Sequence, residues 1–112
     1  MKIYLIFILS FLLFVVNSNA QKIYAVEYAN QADVKVFVVN YQSQADLLVY
    51  KVDYASQAGK NDGNWFYAKY KSQADKTIYY CEHASQADIK IYYVKYKSQS
   101  KWIKDKNKNL FF

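Results

Sequence analysis

Cys81 and His83 are the pair in this 112-residue chain best suited by type to covalent chemistry. A thiol and an imidazole two positions apart on an extended segment share one face, the arrangement that can generate a thiolate nucleophile. Their setting argues against that use. Cys81 fills a position held by Val39, Val52, Ala68 and Val94 in other copies of a repeated unit, and His83 one held by Tyr28, Tyr41, Tyr54, Tyr70 and Tyr96. Both read as core substitutions, since a lone Cys ordinarily behaves as a small buried hydrophobe. A metal held there would need further ligands, and Glu82 between them points to the opposite face. The expectation is of no catalytic residue, metal site or cofactor, in a chain that is not an enzyme.

Recognition chemistry has better candidates. Tyr67, Tyr80 and Tyr93 occupy one repeat position in three successive copies, where earlier copies carry Val38 and Lys51. Stacked on neighbouring strands they would form an aromatic stripe fit for sugar rings or a partner surface; the competing reading is cross-strand packing within the fold. Trp102 stands in a tail that mixes Lys101, Lys104, Lys106 and Lys108 with Leu110, Phe111 and Phe112. Such a tail could meet an anionic membrane or wall polymer, or dock its last apolar residues on the domain.

What positions these residues is a repeat. Asn30-Gln-Ala-Asp33, Ser43-Gln-Ala-Asp46, Ser56-Gln-Ala-Gly59, Ser72-Gln-Ala-Asp75, Ser85-Gln-Ala-Asp88 and the degenerate Ser98-Gln-Ser-Lys101 return at 13-residue intervals, one of them lengthened to 16 by residues around Lys60, Asn61 and Asp62. Between them lie arms rich in Val, Ile, Tyr and Phe, near 23–26, 34–40, 47–53, 63–69, 76–82 and 89–95, with no Pro in the chain. These read as six short strands. Phe37 and Val39, or Tyr92 and Val94, mark one face and Val36 or Ile91 the other, so both faces are partly apolar and the strands must be sandwiched or wrapped on one another. Ser followed three residues on by an acid is a capping-box pattern, predicting a one-turn corner in which the hydroxyl and the carboxylate satisfy local backbone groups.

The ends and the composition bound the rest. Met1 and Lys2, an apolar run from Ile3 to Val16, and small residues at Ser18 and Ala20 predict an export signal over 1–20, cleaved after Ala20. The repeat domain then spans 21–100 and the basic, aromatic tail 101–112. A chain of this size forms one domain, and with a single Cys it has no internal disulfide to brace it. The formal charge is +6 with no Arg, which speaks against bidentate reading of phosphate or guanine and so against nucleic acid as a partner. The expected location is the periplasm, the cell surface or the medium. The expected partners are an envelope polymer, a membrane surface, another protein, or a second copy recruited through an unpaired edge strand.

The Tyr-x-Ser-Gln-Ala-Asp units, with Tyr or Phe and Val in the intervening arms, resemble an uncharacterised family of short bacterial proteins over residues 22 to 104. The resemblance implies a small β fold in which the chain winds around itself and is deeply knotted, and it brings no activity. Gly59 with its insertion, His83, and the last unit without its acid depart from the pattern. The fold expected is all-β, compact and intertwined. The function expected is that of an exported structural or interaction module, with carbohydrate or anionic-envelope binding as the alternative.

Overall fold

The computed structural model describes residues 21–111; the predicted export signal and Phe112 lie outside them. Six strands, β1 (Lys22–Ala25), β2 (Val34–Val38), β3 (Leu47–Val52), β4 (Asn64–Tyr67), β5 (Lys76–Tyr80) and β6 (Ile89–Tyr93), pair in parallel in the ring order β1-β5-β2-β6-β3-β4. β4 closes back onto β1, so the ring is a barrel. A two-residue β7 (Lys101–Trp102) runs antiparallel along the first residues of β3. Closure leaves the six barrel strands without the free edge on which recruitment of a second copy was expected to rest.

Every connection must return the chain from the C-terminal end of one strand to the N-terminal start of the next. From β1 to β2, β2 to β3, β4 to β5 and β5 to β6 it steps two places round the ring, crossing one strand each time. The turn Ala29–Gln31 packs on β5, Ala84–Gln86 on β2 and Lys97–Gln99 on β3. This lapping explains why both faces are apolar. The inner face carries Ile23, Val36, Val49, Trp65, Ile78 and Ile91, all fully buried, and the outer face, with Phe37, Val39, Tyr92 and Val94, is covered in part by the connections and by buried Ala45.

The corner is a single 3-10 turn in all six copies, but its polar chemistry is not the expected capping box. The residue before the turn is the aligned Tyr or His, in extended conformation, and no side chain caps it. The Asp reaches instead to the strand just crossed. Asp33 Oδ2 accepts from the Thr77 backbone N–H at 2.9 Å, Asp46 from Lys90 at 2.8 Å, Asp75 from Lys22 at 3.1 Å and Asp88 from Lys35 at 2.8 Å. Each Asp N–H returns a bond to the same residue's carbonyl, at 2.7 to 3.0 Å. The phrase is therefore a clip across a crossing. In the two copies without the acid, Gln57 and Gln99 accept from the N–H groups of Tyr54 and Tyr96, both at 3.2 Å.

Only β3 to β4 steps a single place, and this is the connection that carries the insertion. A chain stepping two places every time on a six-place ring would be back at its start after three strands. The single step sends the second lap, β4 to β6, into the gaps left by the first. A Cβ on Gly59 would meet the Asp62 carboxylate at 1.8 Å, because Asp62 occupies the space the absent acid would fill. Asp62 Oδ1 accepts from the Asn64 N–H at 3.1 Å, while Gly59 N–H donates to Asn64 O at 3.0 Å, which restores the clip from a new position. Gly63 has φ of 90°, and a Cβ there would lie 2.3 Å from Leu48 O, so only glycine suits it.

The tail closes the N-terminal end of the barrel. Its 3-10 segment, Asp105–Phe111, buries Phe111 against Trp65 and Trp102, with ring centroids 5.2 and 6.0 Å away. Gln21 Nε2 donates to Phe111 O at 3.0 Å. Of the two readings of the tail, docking describes its described part.

Candidate functional site

The three tyrosines predicted to form a stripe do come together, though not on neighbouring strands. Tyr67, Tyr80 and Tyr93 end β4, β5 and β6, which alternate round the ring with β1, β2 and β3. At the equivalent positions the alternating strands carry Ala25, Val38 and Lys51. Three large residues thus point into the C-terminal mouth from alternate strands, and their hydroxyls meet. Tyr67 and Tyr93 oxygens are 2.6 Å apart, Tyr80 and Tyr93 2.8 Å, and Tyr80 donates to Tyr67 at 3.1 Å.

Lys51 lies over this group, its Nζ 4.5 Å from the Tyr93 ring centroid and 5.0 Å from that of Tyr67. Burial, reinforced by the neighbouring hydroxyls, pushes Tyr67 far above the ordinary tyrosine range, and burial likewise raises Tyr93. The Tyr67 and Tyr93 hydroxyls are therefore held in the protonated form, and the three hydroxyls are spent on one another. The trio is a stopper in the barrel mouth; only Tyr80 is substantially exposed.

Trp102 sits at the other end. It pairs with Leu47 at the start of β3, packs on Phe111, and donates through Nε1 to Asn61 O at 2.9 Å. The structure does not bring it to the tyrosines. Cys81 is buried in a groove with Lys35, Tyr79 and Gln86, and burial raises its thiol, with Lys35 opposing in part. His83 is exposed on a corner and is not the core substitution its repeat position suggested. Among the described residues no cluster of His, Cys, Asp and Glu could hold a metal, and no helix is long and apolar enough to cross a membrane.

The most exposed aromatics are those that open the corners of the repeat. Tyr28, Tyr41, Tyr54, Tyr70 and Tyr96 are 56 to 68% exposed. All six barrel strands run the same way and each of these residues follows a strand's end, so with His83 they ring one rim of the barrel in the order Tyr28, His83, Tyr41, Tyr96, Tyr54, Tyr70. The signal for them was in the sequence. A residue that opens a corner on the outside of a closed ring has no layer left to pack against.

A closed parallel barrel whose connections lap over its own strands defines a class, the self-threaded β proteins. The particular family follows from sequence: the family described as the 7(1) septoil knot domain matches residues 20–103, and the chain belongs to it. No curated protein and no solved structure matches the chain.

Proposed function

We propose that this chain is an exported, non-enzymatic interaction module whose fold serves as a rigid mount for its rim. The observation that carries the reading is the contrast between two sets of tyrosines. The inward trio is spent on closing the barrel, whereas the corner set is held out in water by every connection. Tyrosine exposed on a rigid frame supplies a large amphipathic contact at low entropic cost. Catalysis at Cys81 has little support, because a raised, buried thiol is a poor nucleophile at neutral pH.

Two measurements test this. Expressed in a bacterium, the full chain is expected to leave the cytoplasm with Gln21 as its new N-terminus, seen by mass spectrometry; retention of residues 1–20 inside the cell would defeat export. Cys81→Val is expected to keep both the melting temperature and any cellular phenotype. Loss of the phenotype in a folded variant would return the case to thiol chemistry. The exposed rim also favours the second reading, carbohydrate or anionic-envelope binding, now carried by corner tyrosines in place of Tyr67, Tyr80, Tyr93 and Trp102.

A further inference from the structure

The rim is not uniform in charge. In the half above β1, β5 and β2, the residues flanking the corner aromatics are Glu27, Glu82, Asn40, Gln42, Ala29 and Ala84, with no lysine. The half above β6, β3 and β4 reads Lys95-Tyr96-Lys97, Asp53-Tyr54-Ala55 and Lys69-Tyr70-Lys71, with Lys51 just inside it. Five exposed lysines and three exposed tyrosines thus share one side, against a single acid. The chain order hides this. Lys95-Tyr96-Lys97 is far from the other two segments in sequence and joins them only because β6, in the second lap, enters the gap beside β3.

We propose that the two Lys-Tyr-Lys corners, with Tyr54 between them, form a binding site for an anionic polysaccharide, a polymer of sugar rings bearing carboxylate groups. This deepens the second reading above and rests on it. Lys69 Nζ lies over the Tyr70 ring, 5.5 Å from its centroid, and Lys95 Nζ over that of Tyr96 at 5.9 Å, so two of the three exposed rings already hold a cation at one face. A sugar that stacks on such a ring takes the place of the ammonium over it, and the exposed lysine has only to swing to the ring's edge to meet the sugar's carboxylate. The exposed hydroxyls of Ser72 and Ser98 and the amide of Gln73 lie on the same corners to meet sugar hydroxyls. Lysine, a compact point charge, suits single carboxylates spaced along a polymer. The chain has no arginine fork for planar phosphate or base-edge recognition. Ordinary rim charges steer encounter and the stacked aromatics hold the ligand, so both are required.

The test titrates the full chain with a decamer of galacturonic acid, its methyl ester, and a single-stranded thymidine decamer, by calorimetry at physiological salt. The acid decamer is expected to bind saturably and the other two at least about tenfold more weakly, a ratio equivalent to about 1.4 kcal/mol. The triple variant Tyr54→Ser, Tyr70→Ser, Tyr96→Ser and the variant Lys69→Ser, Lys71→Ser, Lys95→Ser, Lys97→Ser are each expected to lose about tenfold or more while keeping the parent's melting curve. Tyr28→Ser with Tyr41→Ser, on the acidic half, is expected to change nothing. No saturable binding of the acid decamer overturns the proposal, as does equal loss from the Tyr28 and Tyr41 variant. Equal or tighter binding of the thymidine decamer overturns it in favour of general polyanion or nucleic-acid affinity. None of these failures touches the module reading, which falls only on a Cys81-dependent activity or on a chain that is not exported.

Discussion

At the scale of single residues, the tyrosine trio ties stability to pH in a direction that can be worked out. Tyrosine in an unfolded chain ionises near 10, whereas folding holds Tyr67 and Tyr93 protonated well beyond that. Their stabilisation is therefore fully present below pH 10 and is lost as pH climbs, because the unfolded state sheds protons that the native state keeps. Each such group steepens the loss by up to about 1.4 kcal/mol per pH unit. Denaturant melts between pH 9 and 11.5 are expected to show this decline, and Tyr67→Phe to flatten it while costing about 1 kcal/mol at pH 7; an unchanged alkaline slope in the variant would refute the buried-trio account. Asp62 offers a second test of one side chain. Asp62→Ala is expected to lose about 1–2 kcal/mol by orphaning the Asn64 N–H. Gly59→Asp alone puts two carboxylates in one space, while the double variant Gly59→Asp, Asp62→Ala is expected to recover most of the loss, measured by urea unfolding.

At the scale of the element, the crossing clip ranks its own copies. The Asp33 clip is partly buried and doubled: besides the backbone pair, Thr77 Oγ1 donates to Asp33 Oδ2 at 3.1 Å and accepts from Asp33 N–H at 3.0 Å. The clips of Asp75 and Asp88 are exposed. Asp33→Ala is thus expected to cost about 2–3 kcal/mol and Asp75→Ala or Asp88→Ala about 1, in equilibrium denaturation; the reverse order would show that the clips do not act through desolvated hydrogen bonds. How such elements could be read in advance follows from their chemistry. Strand positions were plain from the β-branched and aromatic arms, and the arms near 34–40 and 89–95 fall within two residues of β2 and β6 at each end. The Asp partners were not, because a carboxylate that binds a strand 44 or 53 residues away leaves the same local pattern as one that caps its own turn. Tyr67, Tyr80 and Tyr93 were found as a group because their repeat position is shared, but their convergence depends on strand order, which spacing does not carry. The insertion was visible as length; that it changes a two-place step into one was not.

At the scale of the whole molecule, that single step decides whether there is a barrel at all. Two laps interleave only if the second starts one place out of phase, and such lapping accords with the family's description as a septoil knot domain. Every ladder except β3–β4 and β3–β7 joins segments 44 or 53 residues apart, so little native pairing forms until most of the chain is in place. Loop closure must precede its reward, and the C-terminal segment must then pass to its place against the closed ring. Refolding from urea is expected to take seconds or longer, far slower than local-contact domains of this size, and to slow further after long denaturation that lets the chain untie. Deleting Lys60, Asn61 and Asp62 removes both the step and the substitute clip, and is expected to abolish the cooperative unfolding transition rather than lower its midpoint. Phe111→Ala, which leaves the winding intact, is expected to cost about 3–5 kcal/mol yet keep a single sharp transition. Millisecond refolding of the parent chain, or a cooperative transition in the deletion, would show that the phase of the two laps is not what specifies this fold.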